Sequence, residues 1–328
     1  MERYFFILII FICSLIQDSC NISKSDILEV ELQKELVVSQ LSDSTFLSDV
    51  RSMFLDRYLY ITDYSRDEII IIDDSLNLLK TLGRKGMGPG EFLGASHLFL
   101  YHDTITVAND SKQCIEFFDL NRHLKTINFP EGMGLNSRFK FCIKDQRIYA
   151  SFPTQNNSIV WFNPVSGESD RIGELFECST DKLTYIRNNN HLFPYRNNLI
   201  AVSDNIPIVK LYTGSGKIIT EIDYSEIEGV KQRLLFIKAQ RETPQSYYNL
   251  VSDAYIYKNQ LYLLLYTNKY NTVYCNSVLS INIDNNLFSL EKVYHLGEGW
   301  YSSFCIGENV LWAFNANKNL VKFSINIK

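Results

Sequence analysis

One unit recurs along the chain: an apolar run of strand length, a polar break that often carries Asp or Asn, a second apolar run, a turn, and a third run. The first copy reads Tyr58-Leu-Tyr-Ile-Thr-Asp63, then Glu68-Ile-Ile-Ile-Ile-Asp73, then Leu78-Leu-Lys-Thr-Leu82. The second reads Thr104 to Asp110, Cys114 to Asp119 and Leu124 to Phe129. Later copies centre on Ser158 to Phe162, Ile208 to Tyr212, Ser277 to Ile283 and Leu320 to Ile325. The runs are rich in β-branched and aromatic residues, are bounded by turn residues, and are mostly too short for helices. An inner strand precedes each unit, as in Arg51 to Leu55, His97 to Tyr101 and Phe139 to Ile143.

The 284 residues from Thr45 to Lys328 give about 47 per unit, within the range of propeller blades. The expected fold is all-β, a six-bladed β-propeller of four-stranded blades. The sixth unit has only three strands before the chain ends, which would leave an open edge. The strand-like segment Ile27 to Leu41 is available to fill it, so this segment is expected to supply the outer strand of the last blade and close the ring.

An apolar run of 13 residues, Tyr4 to Ile16, precedes the polar Gln17-Asp18-Ser19 and then Cys20. A membrane span needs about 20 residues and a signal-peptide core about 7–15, so the run fits export. Ser19-Cys20 resembles a bacterial lipoprotein cleavage site. The resemblance implies a signal peptide over residues 1–20, lipidation of Cys20, and a propeller over residues 21–328 held at the cell envelope, in the periplasm or on the outer-membrane surface. The mature cysteines Cys114, Cys142, Cys178, Cys275 and Cys305 form no CxxC pair and are expected to be free, four of them as buried apolar residues in strands.

Between the first and second units lies Gly83-Arg-Lys-Gly86-Met-Gly88-Pro89-Gly90-Glu91-Phe92, a turn-rich connection first of all. With Val107-Ala-Asn-Asp110 and Cys114-Ile-Glu-Phe-Phe-Asp119 it resembles an NHL-type propeller repeat. With the signal peptide, the whole chain resembles the six-bladed propeller lipoproteins of Bacteroides-type bacteria, the TolB-like group. That resemblance implies a fold and an envelope location more than an activity.

Chemistry is sparsely signalled. The net charge of -5 and pI of about 5.6 supply no basic face for nucleic acid. The histidines His97, His102, His123, His191 and His295 are scattered, without HxH or HExxH, and read as surface or packing residues. Thr213-Gly-Ser-Gly-Lys217 lacks the first Gly and the final Ser/Thr of a phosphate loop and reads as a hairpin turn. Asp63, Asp110 and Asp204 end equivalent strands and read as turn caps. No catalytic residue, metal ligand or cofactor site is nominated.

In a four-stranded blade, the loops joining second to third strands and those joining one blade to the next emerge on one face. That face is expected to carry Gly83 to Phe92, Leu175 to Asn190 and the long Tyr224 to Tyr248 segment. Within the last, Ser225-Glu-Ile-Glu228 has the form of a capping box, and Ile227, Val230, Leu234 and Ile237 follow at helical spacing. The helix is expected either to pack on a neighbouring blade or to cover the channel mouth. The function expected is non-enzymatic binding of a glycan, peptide or envelope protein on this face, through Arg84, Lys85 and Glu91 with Tyr247, Tyr248 and Trp300. The alternative is a hydrolase or lyase with a divalent metal at the channel mouth.

Overall fold

A computed structural model of the chain describes residues 27–41, 45–136, 138–178, 180–240 and 248–326. The expected lipidation site Cys20 and the nominated Tyr247 lie outside the described residues.

Six small sheets form the molecule. Two strands, β1 (Leu28–Glu31) and β2 (Lys34–Val38), precede the first blade. Blade one is β3 (Val50–Leu55), β4 (Leu59–Asp63), β5 (Glu68–Ile72) and β6 (Leu78–Leu82). Blade two is β7 (Ala95–Tyr101), β8 (Thr104–Asn109), β9 (Cys114–Phe118) and β10 (His123–Asn128). Blade three is β11 (Cys142–Lys144), β12 (Arg147–Ser151), β13 (Ile159–Phe162) and β14 (Ser169–Ile172). Helix α1 (Asp181–Arg187) leads to blade four, β15 (Asn190–Tyr195), β16 (Asn198–Ser203), β17 (Ile208–Thr213) and β18 (Ile218–Asp223). Helix α2 (Glu228–Ala239) leads to blade five, β19 (Val251–Tyr257), β20 (Gln260–Lys269), β21 (Thr272–Asp284) and β22 (Leu287–His295). Blade six holds β23 (Tyr301–Gly307), β24 (Val310–Asn315) and β25 (Leu320–Ser324).

Strand position explains the residue pattern. Middle strands are covered on both faces by neighbouring blades, so β5 (Glu-Ile-Ile-Ile-Ile) and β9 (Cys-Ile-Glu-Phe-Phe) run almost continuously apolar. The outer strands β6 and β18 alternate between more and less covered positions, as half-solvated strands do. The core is accordingly a series of layers between blades. Ile69 and Ile71 of blade one meet Phe92, Leu98 and Val107 of blade two, and Phe117 of blade two meets Phe141, Ile148 and Val160 of blade three.

The ring closes as the open edge requires: β2 pairs antiparallel with β25, from Lys34↔Phe323 to Val38↔Leu320. The N-terminal segment also does something further. Strand β1 adds parallel to β22, with Leu28 opposite Lys292 and Glu31 opposite His295, so blade five has five strands. Val30, Leu32 and Val38 pack against the core layer that joins blades five, six and one, so one short segment staples two outer edges.

Three local expectations are revised. Asp63 pairs with Val50 at the end of β4, but its counterparts are Asn109, opposite Ala95, and Ser203, opposite Asn190. Asp110 and Asp204 therefore sit one residue later in the turn. Asp63 does cap, its carboxylate accepting from the backbone N–H groups of Ser48 (2.6 Å), Asp49 (3.2 Å) and Arg66 (3.3 Å). Helix α2 starts at Glu228 behind Ile227, which makes no side-chain cap, while the Ser225 N–H donates instead to Asp223. The Leu175 to Asn190 segment contains α1, capped by the Thr180 hydroxyl accepting from Leu183 N–H at 3.2 Å.

Candidate functional site

Because strands alternate in direction, every inner strand begins on the face that carries the inter-blade loops. A cavity of about 220 Å³ opens there, and every blade contributes to its lining. Blade one gives Asp49 and Arg51, blade two His97, and the approach to β11 gives Arg138 and Phe139. Asp204 follows β16, Asn249, Ser252 and Tyr266 come from the blade-five side, and Ser302 comes from blade six. A cavity lined from all six blades lies at the ring's axis, so it is the mouth of the central channel.

The local backbone places these side chains. In β3 the register jumps between Val50↔Asp63 and Ser52↔Thr62, leaving Arg51 as the extra residue of a bulge. The same slip occurs between Ala95 and Leu98 in β7, between Val251 and Asp253 in β19, and between Tyr301 and Ser303 in β23. The residues within these slips include His97, Ser252 and Ser302. A bulge re-aims one side chain out of the sheet alternation, and here four bulges each deliver a polar group to one cavity. Their neighbours bind blade to blade: Ser52 donates to the Leu98 carbonyl at 3.4 Å, and Asp253 accepts from the Phe304 N–H at 3.1 Å.

Most charges at and beneath the mouth are already held. The Arg51 guanidinium meets the Asp49 carboxylate at 3.0 Å and lies over the Tyr64 ring at 4.7 Å. The Asp204 carboxylate accepts from Asn205 (3.1 Å) and Asn249 (3.4 Å). Among the buried groups, Lys140 meets Asp253 at 2.9 Å. Burial pushes the Asp253 carboxyl up, and the Lys140 ammonium and two backbone N–H donors oppose this.

The two buried histidines differ from these groups. Neither ring nitrogen of His97 makes a hydrogen bond; the Arg138 backbone is near enough to favour the protonated ring slightly but is not placed to complete one. Burial, reinforced by Lys140 and His191, holds the His97 ring well below the usual histidine range. His191 stacks edge-on to it at 6.5 Å and receives the Lys140 N–H on Nδ1 at 3.4 Å, which places its proton on an unpartnered Nε2. Burial and Lys140 bring the His191 ring down to about 3. Both rings are neutral at physiological pH. The surface-or-packing reading suits His191, whereas His97 lines the mouth.

The nominated residues separate into two groups. Trp300, 41% exposed, stands 5.5 Å from the Tyr266 ring, and Tyr266 lines the mouth. Arg233 of α2 lies 5.9 Å from the Tyr248 ring and 6.0 Å from that of Tyr266, so Tyr248 and Trp300 belong to one aromatic rim. Arg84 and Glu91 pair at 2.7 Å, and neither they nor Lys85 line the cavity. Glu91 instead holds the Gly-rich loop, accepting from Gly88 N–H at 2.7 Å, and a Cβ at Gly86 would come within 2.2 Å of its carboxylate. The partly buried Lys112 clamps the same loop, donating to the Gly88 and Glu91 carbonyls at 3.0 Å and pairing with the fully buried Glu116 at 2.8 Å.

Helix α2 packs on blade five and none of its residues lines the cavity. Gly229 permits the approach, since a Cβ there would meet Thr267 at 2.9 Å. Arg233 reaches inward to the Asn249 carbonyl and to Asn268, each at 3.3 Å, and so braces the strand lead that carries Asn249 to the mouth.

No protein-family model matches the chain, and no curated protein matches it. In fold it is similar to a member of the DUF4221 family from Bacteroides vulgatus ATCC 8482, at 13% identity and a TM-score of 0.59, over 92% of this chain and 99% of that one. A Bacteroides fragilis NCTC 9343 protein described as exported gives 12% identity, a TM-score of 0.59 and the same coverage. Virginiamycin B lyase from Staphylococcus aureus gives 12% identity and a TM-score of 0.54 over 90% of this chain and 99% of that one. Identities this low establish the propeller fold alone. Among the described residues no three His, Cys, Asp or Glu side chains converge as a cation site, so the hydrolase or lyase alternative gains no nominated residues.

Proposed function

We propose that the protein is an exported, envelope-held propeller of the TolB-like kind, lipidated at Cys20, that binds a glycan, peptide or partner protein without chemically changing it. Binding centres on the channel mouth, with Tyr248 and Trp300 as its outer rim. Arg84 and Lys85 are peripheral to it on this reading, and Glu91 serves the loop. The observation that carries the reading is the coincidence of bulge and cavity: in β3, β7, β19 and β23 the extra residue falls where its side chain meets the mouth. Fold stability does not need four irregularities at one place, and bulges kept beside a cavity serve to aim side chains.

The test uses the exposed Ser302. Immobilised mature protein is loaded with an extract of the native envelope, and retention is compared between wild type and Ser302→Trp, which fills the mouth without touching the core. The reading expects a retained component that is lost in Ser302→Trp and kept in the Arg84→Ala, Lys85→Ala, Glu91→Ala triple variant. The opposite pattern would move the site to the Gly-rich loop.

A further inference from the structure

We infer that the mouth cavity receives one neutral sugar ring, the terminal residue of a glycan. This rests on the reading above and specifies its ligand.

Size comes first. At about 220 Å³ the cavity is smaller than the roughly 300–1,000 Å³ typical of sites for drug-sized ligands, and it opens to solvent. One ring fits, with the rest of a chain leaving through the opening. Charge comes second. Arg51 is paired with Asp49, the Asp204 carboxylate holds two side-chain amides, and Arg138 has a partner as well. An anion or a zwitterion would have to compete with these partners for the same charged groups.

The hydrogen-bonding capacity left over is neutral and two-sided. His97 is 5% exposed, lines the cavity and makes no hydrogen bond through either nitrogen. A neutral imidazole offers one donor and one acceptor, which is what a hydroxyl group needs. A buried polar group left without a partner is destabilising, so a ligand that completes it gains affinity. The Ser302 hydroxyl, on a bulge and exposed, offers the same pair of roles. The opposite requirement of a sugar, an apolar surface for its C–H face, is met by Phe139 and Tyr266, with Trp300 extending the aromatic surface outward.

The full mature chain is tested on an array of oligosaccharides bearing neutral, sulfated, sialylated or uronic-acid termini, printed beside short peptides with free ends. The expected result is binding to glycans that share a neutral terminal residue, competed by the corresponding free monosaccharide. Affinity should fall about tenfold in His97→Phe, the equivalent of one lost hydrogen bond, and be abolished in Ser302→Trp. Ser302→Trp keeps the test valid should His97→Phe not fold. Trp300→Ala should weaken oligosaccharides while sparing the monosaccharide. Absence of neutral-glycan binding overturns the inference. Acidic glycans or peptides bound and then lost in Ser302→Trp overturn it too, but leave the mouth as the binding site. Binding of any probe that survives Ser302→Trp overturns both.

Discussion

The Lys140 ammonium lies 2.9 Å from the Asp253 carboxylate, joining blade three to blade five past the whole of blade four. Both side chains are more than nine-tenths buried, and the Lys140 ammonium also lies 5.6 Å from the Tyr255 ring. Lys140 immediately follows Phe139 of the mouth and Asp253 follows Ser252, so the pair fixes the spacing of two walls of the cavity.

Breaking this pair from one side leaves an uncompensated buried charge. Lys140→Met or Asp253→Leu should each lower stability by about 3–5 kcal/mol in denaturant titration, and the double variant should recover most of that loss. Additive losses would mean that the pair is not coupled.

The stapling segment makes a second prediction. Without residues 27–41, β25 loses its outer partner β2 and Leu32 and Val38 leave the core layer around Val321 and Phe323. Because a chain of this size shifts by no more than about 2–4 °C per kcal/mol, the melting temperature should drop by several degrees. The exposed β25 edge should also promote self-association, visible by light scattering.

Acid sensitivity follows from the histidines. An unfolded histidine titrates near 6.5, whereas His191 in the folded chain is brought down to about 3 and His97 lies well below its usual range. Below pH about 6.5 the unfolded chain therefore binds more protons than the folded one. Stability from these rings is complete above that pH and falls as acid is added, by up to about 1.4 kcal/mol per pH unit for each ring. His191→Gln should flatten the dependence of melting temperature on pH between 6.5 and 4.5 relative to wild type; an unchanged slope would show that the ring titrates in the folded state.

Thiol reactivity should single out one of the five described cysteines. Cys114, Cys142, Cys275 and Cys305 are buried in strands, and burial pushes their thiols up, to about 12 for Cys114 and Cys275. Among the described cysteines only Cys178 is partly exposed. Native alkylation at pH 8 followed by peptide mapping should label Cys178 far faster than the other four, because the thiolate is the reacting species.

Much of the fold was legible in sequence because strand pairing leaves a local imprint. Runs such as Glu68 to Ile72 are buried on both faces and read as continuous apolar stretches, and the unpaired edge of the last blade called for Ile27 to Leu41. What escaped was whatever depended on register. The parallel addition of β1 to β22 has no pattern of its own beyond that of any exposed strand. The mouth escaped for the same reason: its residues come from six blades and converge only in three dimensions. A trace was present in Val50-Arg-Ser-Met53, Val251-Ser-Asp-Ala254 and Tyr301-Ser-Ser-Phe304, where two polar residues interrupt the start of an inner strand. Two consecutive polar residues cannot both obey a period of two, and that conflict marks the bulge. The Gly-rich loop is conspicuous because it is compact in sequence, yet Glu91 and Lys112 use it to lock blade one to blade two.

Hydrogen–deuterium exchange with and without the neutral polysaccharide fraction of the native envelope tests the central claim most directly. Slowed exchange should appear at the starts of the inner strands, around residues 50–52, 96–98, 251–253 and 301–303, with the Gly83 to Phe92 loop unchanged. Protection confined to that loop or to the outer strands, with the inner-strand starts unaffected, would contradict a ligand site at the channel mouth.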